Sequence, residues 1–294
     1  MNTILTFTYP FGILLVLVAV FGLGVFLRRK FNLGWRLFWI GGALFIISQI
    51  LHIPFNIFLQ GLFDRGFLPM PPDEYQLIFS AILVGLSAGF FEEITRYVGL
   101  RWWAKDARSW SKGLLFGTGW GGIEAIIFFV VIMLLNYIVL LALRPVDLST
   151  ILPPEQVLPL QQGLDLFWGV SWYDSLLGAL ERLLVLPIQI ALTIMVLQVF
   201  LRGQSRWLWL AIAWHALLDA VCVMSVRQWG AYATEGILAI FTLLSIGIIF
   251  LLRNEDLDEE EDDLMPTGDW EPEPVTLPPI EENEDTIEGT RYSD

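Results

Sequence analysis

The stretch LIFSAILVGLSAGFFEEITRYVGL, Leu77 to Leu100, is an apolar run broken by two adjacent carboxylates, Glu92 and Glu93, and a guanidinium, Arg96. A run of about 20 apolar residues spans the roughly 30 Å of hydrocarbon in a bilayer when it is helical. A charge placed there costs several kcal/mol, from about 3 to well over 10 depending on the scale. An internal partner such as Arg96, a bound metal or a water-filled cavity must offset that cost, so this spot is the first candidate for function.

The rest of the chain repeats the pattern. Of its 294 residues 55% are hydrophobic and 16% charged, and apolar segments recur near 7–27, 37–60, 76–100, 113–143, 175–201, 207–226 and 236–252. The fold class is therefore all-α, a polytopic bundle of about seven transmembrane helices over residues 1–253. Basic residues collect after the odd-numbered spans and the last one: Arg28, Arg29, Lys30 and Arg36; Arg101, Lys105, Arg108 and Lys112; Arg202 and Arg206; Arg253. The alternate loops hold only Arg65, Arg144 and Arg227. By the positive-inside rule the amino terminus lies outside and the carboxyl-terminal tail in the cytoplasm, with a bacterial plasma membrane as the expected location.

The formal charge of −14 belongs to the tail. Residues 254–294 hold 17 of the 31 acidic residues and one basic residue, Arg291, which leaves 14 acidic against 16 basic elsewhere. Dense like charge, several prolines and few apolar residues predict a disordered acidic tail. The amino terminus has no basic region before its apolar run, which reads as a retained first span rather than a cleaved signal. The single cysteine, Cys222, excludes an intramolecular disulfide and a paired-cysteine metal site, and it reads as a small core residue. The basic residues are juxtamembrane and explained by topology, so nothing points to nucleic acid. The outer loop from Arg144 to Asp174 carries Phe167, Trp168, Trp172 and Tyr173, expected as interfacial anchors.

Helical spacing sorts the polar residues within the spans. Arg96 is four residues from Glu92 and three from Glu93, so it can pair with either. His215 and Asp219 are four apart in the sixth span, on one face, able to reach one ion or one water. Glu124 follows the glycine-rich stretch Gly117-Thr118-Gly119-Trp120-Gly121-Gly122, and the fifth span offers Glu181, Arg182 and Gln189. At about 1.5 Å per residue, Glu93 and His215 both lie about 12 to 14 Å above their cytoplasmic basic flanks. They are expected to meet in a shared cavity on the cytoplasmic side. Glu181 lies nearer the outer end and reads, with Arg182, as a structural pair; His52, before Ile53-Pro54, reads as the neighbour of a helix kink.

Glu92-Glu93-x-x-Arg96-Tyr97, Gly121-Gly122-Ile123-Glu124-Ala125, Glu181-Arg182 and His215-Ala-Leu-Leu-Asp219 together resemble the YhfC family of intramembrane metalloproteases. That family is allied to the CAAX-protease and bacteriocin-processing superfamily, and the resemblance covers most of residues 1–253 and none of the tail. It implies that Glu92 or Glu93 activates a water, that Arg96 orients the pair, and that His215 and Asp219 hold a metal or polarise the scissile carbonyl. The substrate it implies is a membrane protein or a lipidated peptide. The chain departs from the family pattern at Trp120 and Gln189, where histidines are expected. With His52 and His215 the only histidines, a multi-histidine zinc site is impossible. One divalent metal, zinc, would need a mixed set such as Glu93, Glu124, His215 and Asp219.

Three functions remain open on these residues. One is peptide-bond hydrolysis inside the membrane, with Glu92, Glu93, Arg96 and His215 as the catalytic group, with or without metal. A second is an inactive pseudoprotease that binds or scaffolds a membrane partner, Trp120 being what the loss of a ligand would look like. The third is a proton-coupled transporter, since intramembrane Glu, His and Asp also suit proton relays.

Overall fold

In a computed structural model, which describes residues 3–253, the chain is helical throughout and has no strand among those residues. The helices are α1 (Leu5–Lys30), α2 (Arg36–Asp64), α3 (Gln76–Trp102), α4 (Trp110–Ala125), α5 (Ile132–Leu143), α6 (Pro154–Gly169), α7 (Leu177–Leu201), α8 (Arg206–Gln228) and α9 (Ala231–Leu251). A π-helical stretch, Ile126–Val131, joins α4 to α5, so that one continuous span runs Trp110–Leu143. Seven segments among the described residues are long and apolar enough to cross a bilayer, and the protein is an integral membrane protein. The acidic tail expected over 254–294 lies outside the described residues.

Seven spans were legible because each carries its hydropathy with it. The seventh starts at Ala231 rather than 236, where Gly230 at φ 81° turns the chain out of α8. The larger difference is α6, which occupies half of the segment expected as a loop. Pro153 precedes it and Pro154 opens its first turn, a position that proline tolerates because its missing N–H has no partner there anyway. Two of the four expected anchors also pack inward. Phe167 stacks on Tyr9 at 4.3 Å, Tyr9 Oη donates to the Phe167 carbonyl at 2.7 Å, and Trp168 is buried; Trp172 and Tyr173 are exposed as expected.

Close backbone approach sets the geometry of the bundle. With no aqueous drive to join helices inside lipid, small residues at the crossings let van der Waals contact and hydrogen bonds do it. A Cβ on Gly119 of α4 would come within 1.9 Å of the Phe38 carbonyl oxygen of α2, and one on Gly85 of α3 within 2.4 Å of the Ala216 oxygen of α8. These crossings fix α3 against α8 and α2 against α4. At the end of the bundle that carries the basic loops, Arg36 at the start of α2 donates to both Asp106 oxygens at 2.8 Å. Those bonds hold the Asp106 carboxyl below its ordinary range.

Gly119→Val and Gly85→Val are expected to cost about 1–3 kcal/mol each, or to abolish folding, because the obstructing atoms are backbone. Gly236→Ala, which meets open space, should leave thermal unfolding in detergent unchanged. Equal melting temperatures for the three variants would contradict the role given to the crossings.

Candidate functional site

Adjacent residues on a helix point about 100° apart, and on α3 that rotation separates the two glutamates. Glu93 is wholly buried and turns into the bundle, where Arg96 Nη1 donates to its two oxygens at 2.6 and 2.5 Å. His215 of α8 places Nδ1 2.8 Å from Glu93 Oε1. Glu92 instead borders a cavity of about 480 Å³. It accepts from Gln49 of α2 at 3.0 Å and from the Trp120 indole of α4 at 3.3 Å. Of the two pairings open to Arg96, the structure selects Glu93.

From Arg96 the network continues across the bundle. Nη2 donates to Gln189 Oε1 of α7 at 2.5 Å, and Gln189 Nε2 donates to Glu124 Oε2 at 2.6 Å. Arg182 approaches Glu124 at 3.3 Å and also bonds its own neighbour Glu181. The Arg96 guanidinium lies 4.2 Å from the centre of the fully buried Trp120 ring, a cation–π contact that strengthens when water is excluded. Gln189 and Trp120 thus belong to the network that holds Arg96, one by its amide and one by its ring face. Of the three guanidinium nitrogens of Arg96, Nε has no hydrogen-bond partner among the described residues.

The cavity lies within the bundle and gathers nearly every expected site residue: Glu92, Glu124, Glu181, Arg182, Gln189, His215 and Asp219 line it, while Glu93 and Arg96 stand behind its wall. Three features differ from expectation. Glu181 and Arg182 share the cavity rather than forming a remote structural pair. His52 also lines it, with Nε2 3.0 Å from Ser87 Oγ and 2.8 Å from Asn56 Nδ2, so it is a wall residue and not merely a neighbour of Pro54. The cavity also runs away from the basic loops. Its wall extends from His215 and Glu92 near mid-span to Val226 and Ala231, where α8 turns into α9. Depth counted from one basic flank matched Glu93 to His215, which meet at 2.8 Å, and said nothing about the direction in which the cavity runs.

Gln49 and Glu235 were missed. Gln49, His52 and Asn56 share one face of α2 by their spacing, a signal present in the sequence but spread over single polar residues. Glu235 lies just before the point at which hydropathy placed the seventh span. The π-helical stretch begins two residues after Glu124 and brings Phe128 into the same wall; such insertions are frequent at functional sites.

The four-ligand metal set of Glu93, Glu124, His215 and Asp219 is not assembled. Among the described residues no three His, Cys, Asp or Glu side chains gather closely enough to hold a metal ion. Both Glu93 oxygens are taken by Arg96, Glu124 is held by Gln189 and Arg182, and His215 Nε2 stands 3.6 Å from Asp219.

Removing one partner of a buried ion pair strands the other, at a cost of about 3–5 kcal/mol. Arg96→Ala should therefore lower stability by about that amount, and Arg96→Lys, which cannot bridge Glu93 and Gln189 with one planar fork, should recover only part of it. Chemical denaturation in detergent reads the difference; an Arg96→Ala protein as stable as wild type would contradict the network.

The chain is 27% identical over 232 residues to the uncharacterized membrane protein YhfC of Bacillus subtilis (strain 168), covering 76% of this chain and 87% of that protein. No solved structure matches it. The family model described as YhfC intramembrane metalloprotease matches residues 14–242, so the chain belongs to that family.

Proposed function

We propose that the protein hydrolyses peptide bonds of membrane-embedded or membrane-associated substrates, with Glu92 as the general base. The observation that carries this reading is the division of labour between the two glutamates: one is locked in the bundle by Arg96 and His215, and the other borders a cavity within the membrane span. Glu92 takes a proton from a water in the cavity as the water oxygen adds to the substrate carbonyl, and it returns that proton to the amide nitrogen as the tetrahedral intermediate collapses and the C–N bond breaks, releasing the amine and the carboxylate products. His215, oriented by Glu93 at Nδ1, turns Nε2 toward Asp219 and the cavity. With a carboxylate beside each ring nitrogen, the imidazole has an acceptor for an N–H on both sides, and its Nε2 edge faces the place where the oxyanion develops. Arg96 and Gln189 hold this geometry from behind.

The family description implies a metal ion, and the residues present do not fit one. Catalytic zinc takes three protein ligands and keeps one position open, whereas the cavity offers the His215 and Asp219 pair with the neighbouring carboxylates already engaged. The mechanism is therefore written through the side chains alone. Topology completes the reading: with the basic loops cytoplasmic in a bacterial plasma membrane, the cavity opens toward the outer side.

Fragment mapping of the proteome in membranes that carry the full chain tests this. Cleavage products present with wild type should fall at least about 100-fold with Glu92→Gln, the usual scale for a lost general base. They should fall with His215→Ala and persist when o-phenanthroline is added. Products unchanged by Glu92→Gln contradict the assignment, and the same fold would then serve as a non-cleaving membrane-binding protein. Loss with chelator and recovery with zinc would contradict the metal-free mechanism alone.

A further inference from the structure

A second hollow, of about 370 Å³, lies among α7, α8 and α9 and is lined only by apolar residues. On α8 its wall is Leu210, Ala213, Trp214 and Leu217, the i, i+3, i+4, i+7 spacing of one helix face, and that face is set well round the helix from His215. Leu251 of α9 stands opposite. Along α8 the hollow runs from Trp207 to Leu217, a rise of about 15 Å. That is half of the roughly 30 Å hydrocarbon core, the depth of one leaflet.

Positive charge gathers where this hollow meets the basic loops. The guanidinium of Arg202 lies 5.1 Å, and that of Arg206 5.8 Å, from the centre of the Trp207 ring. Neither arginine has a carboxylate partner among the described residues, and Arg202 spends only its Nε, on Gln198 Oε1 at 2.8 Å. Other arginines at this end serve the protein itself: Arg36 is bound to Asp106, and Arg108 donates to the carbonyls of Leu100, Ala104 and Ala107. Topology accounts for basic residues at this end. It does not account for two of them left unpaired over one indole at the mouth of an apolar hollow. The Trp207 indole N–H also lacks an acceptor among the described residues, and an unmet buried donor is costly. An occupant that answers all three features carries an apolar chain, a negative charge and acceptor oxygens in one molecule.

We propose that this hollow binds one anionic glycerophospholipid from the leaflet at the basic end of the bundle, with an acyl chain along α8 and the phosphate held by Arg202 and Arg206. A guanidinium matches phosphate with paired N–H donors, and the lipid's ester oxygens supply the acceptor that Trp207 lacks. A zwitterionic lipid brings the same chain and phosphate with an ammonium that cancels the charge, so the arginines select by headgroup. A free phosphate lacks the chain. On this account α8 presents His215 and Asp219 to the cavity and its other face to the lipid, which braces it against α9. The inference is independent of the peptidase reading and holds whether or not peptides are cut.

Native mass spectrometry of the full chain in detergent tests this, with phosphatidylglycerol and phosphatidylcholine of identical acyl chains titrated separately. The first phosphatidylglycerol should bind at least about tenfold more tightly than the first phosphatidylcholine, since each surface arginine contributes to holding an anionic headgroup. Arg202→Gln combined with Arg206→Gln, both at exposed positions, should remove that preference. Arg28→Gln combined with Arg29→Gln, which takes the same charge from another exposed site, should leave it intact. Ala213→Phe, which fills the hollow from an exposed position, should weaken both lipids. Equal affinity for the two lipids overturns the proposal, and so does a preference that survives loss of Arg202 and Arg206 or falls equally with Arg28 and Arg29. Displacement of the lipid by an equal concentration of glycerol 3-phosphate overturns it in favour of a plain anion site. A preference that appears only when Asp258, Glu259, Glu260, Glu261, Asp262 and Asp263 are all changed to their amides also overturns it, because the chain's own acidic tail then occupies the arginines.

Discussion

A buried guanidinium organises this molecule. Arg96 lies at zero exposure inside a lipid-embedded bundle, where an uncompensated charge is not tolerated, and every neighbour is arranged to compensate it. Glu93 neutralises it along α3, Gln189 bridges it to α7, and Trp120 covers it from α4. His215 on α8 joins through Glu93. Four helices are tied to one side chain, and the glycine crossings bring their backbones close enough for it to reach them all.

This arrangement separates positioning from chemistry. The residues that satisfy Arg96 are held by it and so hold the geometry, and the polar groups left facing the cavity are those available to a substrate. Glu92, Asp219 and Glu235 fall in the second class. Such a division is what a preorganised site requires, because reactive groups must be held by partners that do not themselves move during reaction. The same reasoning explains why a metal does not fit: of the carboxylates that would bind it, Glu93 and Glu124 are already committed to guanidinium and amide donors.

Much of this was legible in the sequence. Hydropathy gave seven spans because each apolar run is long enough to identify itself, and helical spacing put Arg96 within reach of both Glu92 and Glu93 and set His215 and Asp219 on one face. Three things were hidden. Which glutamate pairs with Arg96 could not be read, because both lie within reach and only packing against α8 decides the rotation. α6 was obscured by Pro153, Pro154 and Pro159, which look like loop residues until the first turn of a helix absorbs one of them. The open end of the cavity was hidden because it depends on how the ends of α7, α8 and α9 stand around it, which no single segment encodes.

Carboxylate footprinting tests the central claim directly. The full chain in nanodiscs is treated with a water-soluble carbodiimide and an amine nucleophile, and the modification of Glu92 and Glu93 is followed by mass spectrometry of the peptide that contains both. Glu92, reached by cavity water, should label in the folded protein, while Glu93, sealed by Arg96 and His215, should label only after unfolding. Equal labelling of the two, or labelling of Glu93 alone, would contradict the account.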